Sequence, residues 1–113
     1  MPKHLKTSEY AAPYKHFQTF THTFTTTGSE TICTITGFVG RKISLITNVA
    51  NVMIDFDRAA SREGTNTWES MLIKVGETYG DDDITINATV RGIPEVSGEH
   101  PVVRGIVWGS DRV

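Results

Sequence analysis

The chain has 113 residues, a formal net charge of −2 at pH 7 and one cysteine, Cys33. This length is typical of one domain with its own core, the charge gives no general attraction to nucleic acid or an anionic membrane, and one cysteine excludes an intrachain disulfide. No apolar run approaches the roughly 18–20 residues of a membrane-spanning helix, and the N-terminus lacks the apolar core of a signal peptide. We therefore expect a soluble protein of a reducing compartment that binds neither nucleic acid nor membrane.

The first 17 residues, MPKHLKTSEYAAPYKHF, show neither a helical nor an alternating pattern. Leaving three aromatic side chains of this segment in water is unfavourable, so we predict an extended N-terminal arm, residues 1–17, that packs on a partner. A frayed terminus is the alternative. The expected partner-binding residues of the arm are Tyr10, Pro13, Tyr14 and Phe17. Residues 18–113 are expected to form a single domain.

Alternating polar and apolar residues follow the arm, and this period of two indicates strands with one face on a core. In QTFTHTFTT, Phe20 and Phe24 share a face, and the turn residues TTGS separate this run from ETICTITGF. We therefore predict a hairpin between these two strands. In the second of them, Ile32 is expected on the face opposite Cys33. GRKISLITN and ANVMIDFD are the next two predicted strands.

The second half of the chain begins with RAASREGTNTWES, which lacks alternation and is predicted to be the longest loop. MLIKV is a short apolar strand, DITINATVRGI alternates again from Ile84 to Val90, and PVVRGIVWG is the last strand. Gly105 within that strand indicates a bulge or a close approach of the backbone. Short strands at this spacing predict an all-β fold, an antiparallel, jelly-roll-like β-sandwich of about seven to eight strands, with a small barrel as the alternative.

Three consecutive carboxylates in TYGDDDITI raise the question of a site, since Asp55 and Asp57 in IDFDR form a second acidic pair. Consecutive side chains of an extended segment point to opposite faces, and the D-x-D-x-D-G pattern of a calcium loop is absent. We interpret the stretch as a solvated turn between two strands, with a calcium site or an ion pair to Arg58, Arg91 or a neighbouring subunit as alternatives. The candidates for ion pairs between subunits are Asp81, Asp83, Arg58 and Arg104.

Catalytic and metal chemistry have little support elsewhere in the chain. Cys33 lies within a predicted strand without a neighbouring base and is expected to be a buried core residue. The four histidines lack the spacing of zinc ligands, and no serine stands in a G-x-S-x-G setting. We therefore expect a protein that is not an enzyme, with no catalytic residues, no bound metal and no cofactor.

The order of the strands and turns carries a resemblance. ISLITNVANVMIDFDRAA, WESMLIKVGET, DITINATVRG and VVRGIVWG follow one another between residues 41 and 109. This order resembles the small all-β virion proteins of tailed bacteriophages, in which x-N-x-x-x-D-V-x-V-x-F-D precedes an L-x-P-G-E turn. The turn here consists of Val75, Gly76 and Glu77 and has no proline.

The resemblance implies a non-enzymatic virion structural protein, foremost a capsid decoration or cement protein that binds the major capsid protein shell and stabilises it. It also implies other virion subunits as partners, a homo-oligomer, and localisation in the virion after assembly in the host cytoplasm. A head–tail or fibre attachment protein is an alternative within the same resemblance. A different class is a carbohydrate- or receptor-binding module with Trp68, Trp108 or Tyr79 as an exposed stacking platform, and a small β-barrel enzyme with a cleft is the third hypothesis.

Overall fold

The computed structural model describes residues 14–62 and 70–112. These residues form eight strands: β1 (His16–Thr23), β2 (Glu30–Thr34), β3 (Val39–Asn48), β4 (Val52–Phe56), β5 (Met71–Ile73), β6 (Thr78–Asp81), β7 (Thr89–Pro94) and β8 (Val102–Ser110). They form no helix, and so none that is long and apolar enough to cross a membrane. The all-β prediction and the strand number are confirmed.

The strands form two antiparallel sheets of four. Sheet A has the order β1-β8-β3-β6, and sheet B has the order β2-β7-β4-β5. The chain crosses from one sheet to the other at every connection except the one between β4 and β5. Eight strands connected in this way are a jelly roll, which confirms the predicted sandwich.

The core lies between the two sheets. Its fully buried side chains alternate along the strands with side chains that point away from the core, as a pleated strand requires. Sheet A contributes Ile43, Leu45, Val103 and Val107, and sheet B contributes Val52, Ile54, Ile73 and Val90. Phe24 and Ile86, both 0% exposed, complete the packing from the connections.

The predicted hairpin between the first two strands is wrong. β1 pairs along its whole length with β8, whereas β2 pairs with β7 in the other sheet. β8 is apolar on both faces and therefore takes the centre of sheet A, where it needs a neighbour on each side. The turn residues TTGS reverse the chain, but they carry it from sheet A to sheet B.

Two predictions of local structure are also wrong, one about which side chains share a face and one about where a strand begins. A β-bulge between Thr31 and Cys33 shifts the register of β2, so that Ile32 and Cys33 are both buried rather than opposite. The alternating run from residue 84 is not a strand until Thr89, apart from a single bridge between Ile86 and Gly40. The backbone N–H groups just before β7 bond to a carboxylate instead of a neighbouring strand.

The outer face of sheet B is covered by the segment that follows β4. Ala60 packs there against Met53 and Ile93 as a second, smaller cluster. The Arg62 guanidinium fixes this segment by donating through Nε to the carbonyl of Pro94 at 2.8 Å. Residues 63–69, the second half of the predicted long loop, lie outside the described residues. The outer face of sheet A has no such cover among residues 14–62 and 70–112.

Candidate functional site

The aspartates of TYGDDDITI lie at the end of edge strand β6. One Asp81 oxygen accepts the hydroxyl of Tyr79 at 3.1 Å, and the other accepts the backbone N–H of Asp83 at 2.9 Å. Bonds of this second kind stabilise an Asx turn. Asp82 and Asp83 are exposed, and none of the ion pairs between described residues involves the three aspartates. Asp82 and Asp83 lie in a solvated turn, as predicted, whereas Gly80 and Asp81 are the last residues of strand β6 and Asp81 is partly buried.

Tyr79 does not offer a stacking surface. Its side chain is partly buried against the core cluster. Burial raises the pKa of Tyr79 to about 12, together with the hydrogen bond to Asp81 and the negative charge of that residue. Its hydroxyl therefore stays protonated at neutral pH and acts as a hydrogen-bond donor.

Asp57 has a structural role at the opposite sheet. Its backbone adopts a positive φ of 61°, which Asp tolerates better than most residues. Its carboxylate accepts the N–H groups of Asn87, Ala88 and Thr89 at 2.7, 2.6 and 3.0 Å. Burial raises the pKa of Asp57, but these bonds and the charge of Arg112 lower it more, so that the net change is downward. The carboxylate thus holds the chain in position ahead of β7.

Asp55 is engaged separately from the other carboxylates. Its Oδ2 lies 3.0 Å from Nε of Arg58 and accepts the hydroxyl of Ser70 at 3.0 Å. Asp55, Asp57 and Asp81 share no hydrogen-bond partner among the described residues. No group of three or more His, Cys, Asp or Glu side chains in that part of the chain is arranged to hold a metal ion. Asp55, Asp57 and Asp81 therefore make separate structural contacts, and Asp82 and Asp83 are exposed.

Polar side chains close the open side of the sandwich between β1 and β2. His22 Nε2 lies 2.8 Å from Oε1 of Glu30, and Gln18 donates to the carbonyl of Thr34 at 2.7 Å. Gln18 Nε2 also lies 3.2 Å from Sγ of Cys33. Burial raises the pKa of the Cys33 thiol, although the bond from Gln18 opposes this. Cys33 is buried, as predicted, and is held as a thiol.

The outer face of sheet A is the main candidate for function, because no described segment covers it. Cross-strand register places Phe17 opposite Trp108 and Trp108 opposite Lys42, so that these three side chains form one row. The Lys42 ammonium lies 4.9 Å from the centroid of the Trp108 ring, which is a cation–π contact. Phe17 is 67% exposed.

Apolar side chains continue from this row along the central strand. Ile106 and Val102 point outward from β8, and Ile46 points outward from β3 beside Arg104. All except Arg104 are partly buried by their neighbours, and Arg104 is exposed. We call Phe17, Trp108, Lys42, Ile106, Ile46 and Arg104 the sheet A platform.

Two shallow depressions lie on the platform. One, of about 420 Å³, is lined among others by Thr19, Ser44 and Ile106. The other, of about 490 Å³, lies beside Trp108 and is lined by Lys42, Gly80 and Asp82 among others. Both are open rather than enclosed, so they fit a convex partner surface better than a small molecule that must be sequestered from water.

The platform is positively charged. Lys42 and Arg104 point outward, whereas none of the outward positions of β1, β8, β3 and β6 carries a carboxylate. Asp81, at the end of β6, and Asp82, which follows it, line the same depression as Lys42. These outward positions also contain no histidine or cysteine that could activate the Thr and Ser hydroxyls. This face offers apolar, hydroxyl and cationic groups to a partner.

The residues predicted to bind partners are distributed over several places. Phe17 belongs to β1 together with His16, so the last two residues of the predicted arm are part of a sheet. Tyr14 lines a depression of about 430 Å³ with Arg41 and Asp83. Arg58 binds Asp55 within the chain. Arg104 lies on the other sheet and belongs to the platform. Three predicted residues, Tyr10, Pro13 and Trp68, lie outside the described residues.

Sequence reasoning did not identify Lys42, Ile46 and Ile106 as site residues. A signal was present in PVVRGIVWG, where both sets of alternating positions are apolar. One apolar face of such a strand packs in the core, and the second apolar face indicates a further contact surface.

Comparisons with protein-family models, with curated proteins and with solved structures found no match.

Proposed function

We propose that this chain is a non-enzymatic virion structural protein of a tailed bacteriophage, a capsid decoration or cement protein that binds the major capsid protein shell and stabilises it. The body docks through the sheet A platform, and the N-terminal residues that precede β1 extend the contact. The virion is its location, other copies of the chain and capsid subunits are its partners, and binding requires no cofactor.

The observation that carries the proposal is the exposed aromatic end of the platform. Phe17 is 67% exposed and lies opposite the half-buried Trp108. Exposed aromatic and aliphatic side chains that are contiguous on a rigid sheet mark interaction surfaces, and aromatic residues dominate the energetics of protein interfaces. The resemblance of the sequence to virion proteins is the reason for proposing a capsid shell as the partner.

Charge defines the partner surface further. The platform offers Lys42 and Arg104 without an outward carboxylate from the same strands. A partner surface with carboxylates at its rim complements this pattern, and rim charges of this kind mainly accelerate association and impart salt dependence. We therefore expect attachment to weaken as the salt concentration rises.

The test is binding of purified protein to particles that lack it, measured by co-sedimentation. Phe17→Ser removes the exposed aromatic side chain of the platform and is expected to lower the affinity by about tenfold or more, as for a hot-spot residue. The matched control is Leu72→Ser, which removes an apolar side chain of similar size, 37% exposed, from the opposite sheet. Equal binding by the two variants would refute the role of the platform.

The contribution of the N-terminal residues needs a separate variant. Because β1 begins at His16, a deletion of residues 1–13 leaves the strand whole, whereas a deletion of residues 1–17 removes part of it. We expect the deletion of residues 1–13 to abolish attachment while the melting curve of the body is retained. A truncated protein that still binds particles with full affinity would exclude the arm from the interface.

A carbohydrate-binding module is the second candidate, and one observation favours it. Trp108 borders a depression of about 490 Å³ with the polar groups of Lys42, Ser44 and Asp82. One face of the Trp108 ring is already in contact with the Lys42 ammonium, so a sugar ring that stacks there must displace this cation. Saturable binding of a glycan by the native protein, lost in Trp108→Ala and retained in Phe17→Ser, would favour this function over capsid attachment.

A further inference from the structure

The four sheet edges of the jelly roll differ in how they are protected. The edge strands are β1 and β6 in sheet A and β2 and β5 in sheet B. An edge strand presents unpaired N–H and C=O groups to any other extended chain, and natural proteins prevent such pairing with short strands, charges, prolines or bulges.

Three of the four edges carry these devices. β6 has four residues and ends in Asp81, and β5 has three residues. β2 begins with Glu30 and contains the bulge after Thr31. Each of these strands is therefore a poor template for an added strand.

β1 carries none of them. It is eight residues long, its sequence HFQTFTHT contains no Lys, Arg, Asp, Glu or Pro, and it pairs with β8 without a register shift. Its backbone forms no hydrogen bond with any described residue outside β8. In an antiparallel strand, alternate residues direct both backbone groups away from the existing neighbour, so half of the β1 residues present backbone groups that no residue of 14–62 or 70–112 pairs with, and a further strand can take them.

We propose that β1 pairs antiparallel with β1 of a second copy, so that two sheets A form one continuous eight-stranded sheet across a two-fold axis. This self-association goes beyond capsid attachment and holds whether or not the platform binds a virion surface. It also places two platforms side by side on the same face of the joined sheet.

The composition of β1 favours its own copy as the occupant. A two-fold pairing keeps outward residues opposite outward residues, and one register places Phe20 opposite Phe20 of the second copy. Thr19 then lies opposite Thr21 of the second copy, and Gln18 opposite its His22. Thr–Thr and aromatic pairs are favourable across strands, and no two histidines meet in this register, so protonation brings no like charges together.

The symmetry limits the assembly to a dimer, because each copy has one β1 and the two-fold contact occupies the free edge of both β1 strands. In this register seven residues of β1 in each copy, 17–23, pair with one another and extend over about 24 Å, which is small for a stable interface. We therefore expect a dimer that dissociates on dilution within the micromolar range.

The test is sedimentation velocity of the full chain at several micromolar concentrations. The variant Thr19→Lys/Thr21→Lys places like charges opposite each other twice in the dimer and is expected to raise the dissociation constant about tenfold or more. Both threonines are exposed, so the fold is expected to persist, which circular dichroism checks. The matched control, Asn48→Lys/Thr78→Lys, adds two lysines to exposed positions of the same sheet away from β1.

A charge-swap experiment distinguishes edge pairing from other modes of association. The variant Thr19→Glu/Thr21→Glu alone is expected to be as monomeric as the lysine variant, whereas an equimolar mixture of the two restores the dimer through opposite charges across the edge. A monomeric native protein, a control variant that fails to dimerise, a mixture that stays monomeric, or assembly beyond the dimer would each overturn the proposal. None of these results depends on attachment to particles, which the co-sedimentation experiment measures separately.

Discussion

Replacing Glu30 with Gln tests how the two sheets are held together at their open side. One carboxylate oxygen of Glu30 contacts Nε2 of His22 at 2.8 Å. The other accepts the backbone N–H of Thr25 at 3.1 Å and both the N–H and the hydroxyl of Thr26 at 2.7 Å. Since His22 lies in sheet A and Glu30 in sheet B, this carboxylate joins the sheets and orders the connection between β1 and β2.

The magnitude follows from the pKa of Glu30. Burial raises it, but the bonds from Thr26, His22 and Thr25 lower it more, and the net change is from 4.5 to about 2. A change of that size corresponds to ~3 kcal/mol of folding free energy above the unfolded-state pKa. The Glu30 side chain is 15% exposed, and a glutamine oxygen still accepts some of the bonds, so we expect Glu30→Gln to lose about 2 kcal/mol, or about 8 °C in melting temperature.

The pH dependence gives the sharper readout, because the folded-state pKa lies below the unfolded-state value. The stabilisation by Glu30 is complete above about pH 4.5 and disappears as the pH falls towards 2. Urea unfolding at several pH values is expected to show a difference between the native protein and Glu30→Gln that shrinks over this window. The control is Glu99→Gln, since Glu99 is exposed and makes no side-chain hydrogen bond to a described residue. A difference that is independent of pH, or as large for Glu99→Gln, would refute the reasoning.

Three further predictions concern packing, the acidic residues and the thiol. A Cβ at Gly105 would overlap the carbonyl oxygen of Ser44 and lie 2.8 Å from the Leu45 Cβ, so Gly105→Ala is expected to cost about 3 kcal/mol of unfolding free energy. Gly80→Ala, whose nearest contact is at 3.8 Å, is the control and should unfold like the native protein in urea. Asp57→Asn keeps a residue that tolerates a positive φ but weakens the bonds to the chain before β7, and a loss of about 1–2 kcal/mol is expected at pH 7. Because the pKa of Asp57 is lowered in the folded state, that loss of stability shrinks as the pH falls below 3.8, the ordinary pKa of an aspartate. An equal loss of stability for the exposed Asp82→Asn would contradict the structural account of the aspartates. A melting temperature that falls in EDTA and recovers with calcium would contradict it as well. The Cys33 thiol, buried and with a raised pKa, should react with a disulfide reagent only as fast as the protein unfolds, and rapid labelling of the folded protein would show that it is accessible.

The strands were predictable from the sequence because alternation reports directly on burial. Ile43, Leu45 and Val107 occupy the inward positions that the period of two assigns to them. Gly105 was predicted to mark a bulge or a close approach, and the backbone of Ser44 does lie against it. The inward positions and the close approach at Gly105 are each visible in the sequence of a single strand, so a local sequence pattern can predict them.

The pairing of the strands was not predictable in the same way. TTGS is a good turn sequence, but a turn determines only that the chain reverses, and both β1 and β2 find partners more than 50 residues away. The run from Ile84 has the composition of a strand, yet Asp57 takes up the N–H groups of Asn87 and Ala88. Long-range contacts of this kind override local propensity.

The candidate site was predictable only in part. The solvated turn at Asp82 and Asp83 follows from the adjacency of the three aspartates, although Asp81 itself belongs to β6, and Trp108 and Arg104 were singled out separately. Their assembly with Phe17 and Lys42 into one face depends on the β1-β8-β3 order of sheet A, which no local motif encodes. The exposed apolar face became visible only once this order was known.

The most direct test of the proposed function is the composition of purified virus particles. Quantitative mass spectrometry of particles of the virus that encodes this chain is expected to find it in a fixed ratio to the major capsid protein, and washing in high salt is expected to release it before the shell dissociates. Absence of the chain from intact particles, with the protein abundant in the infected cell, would contradict its assignment as a virion protein.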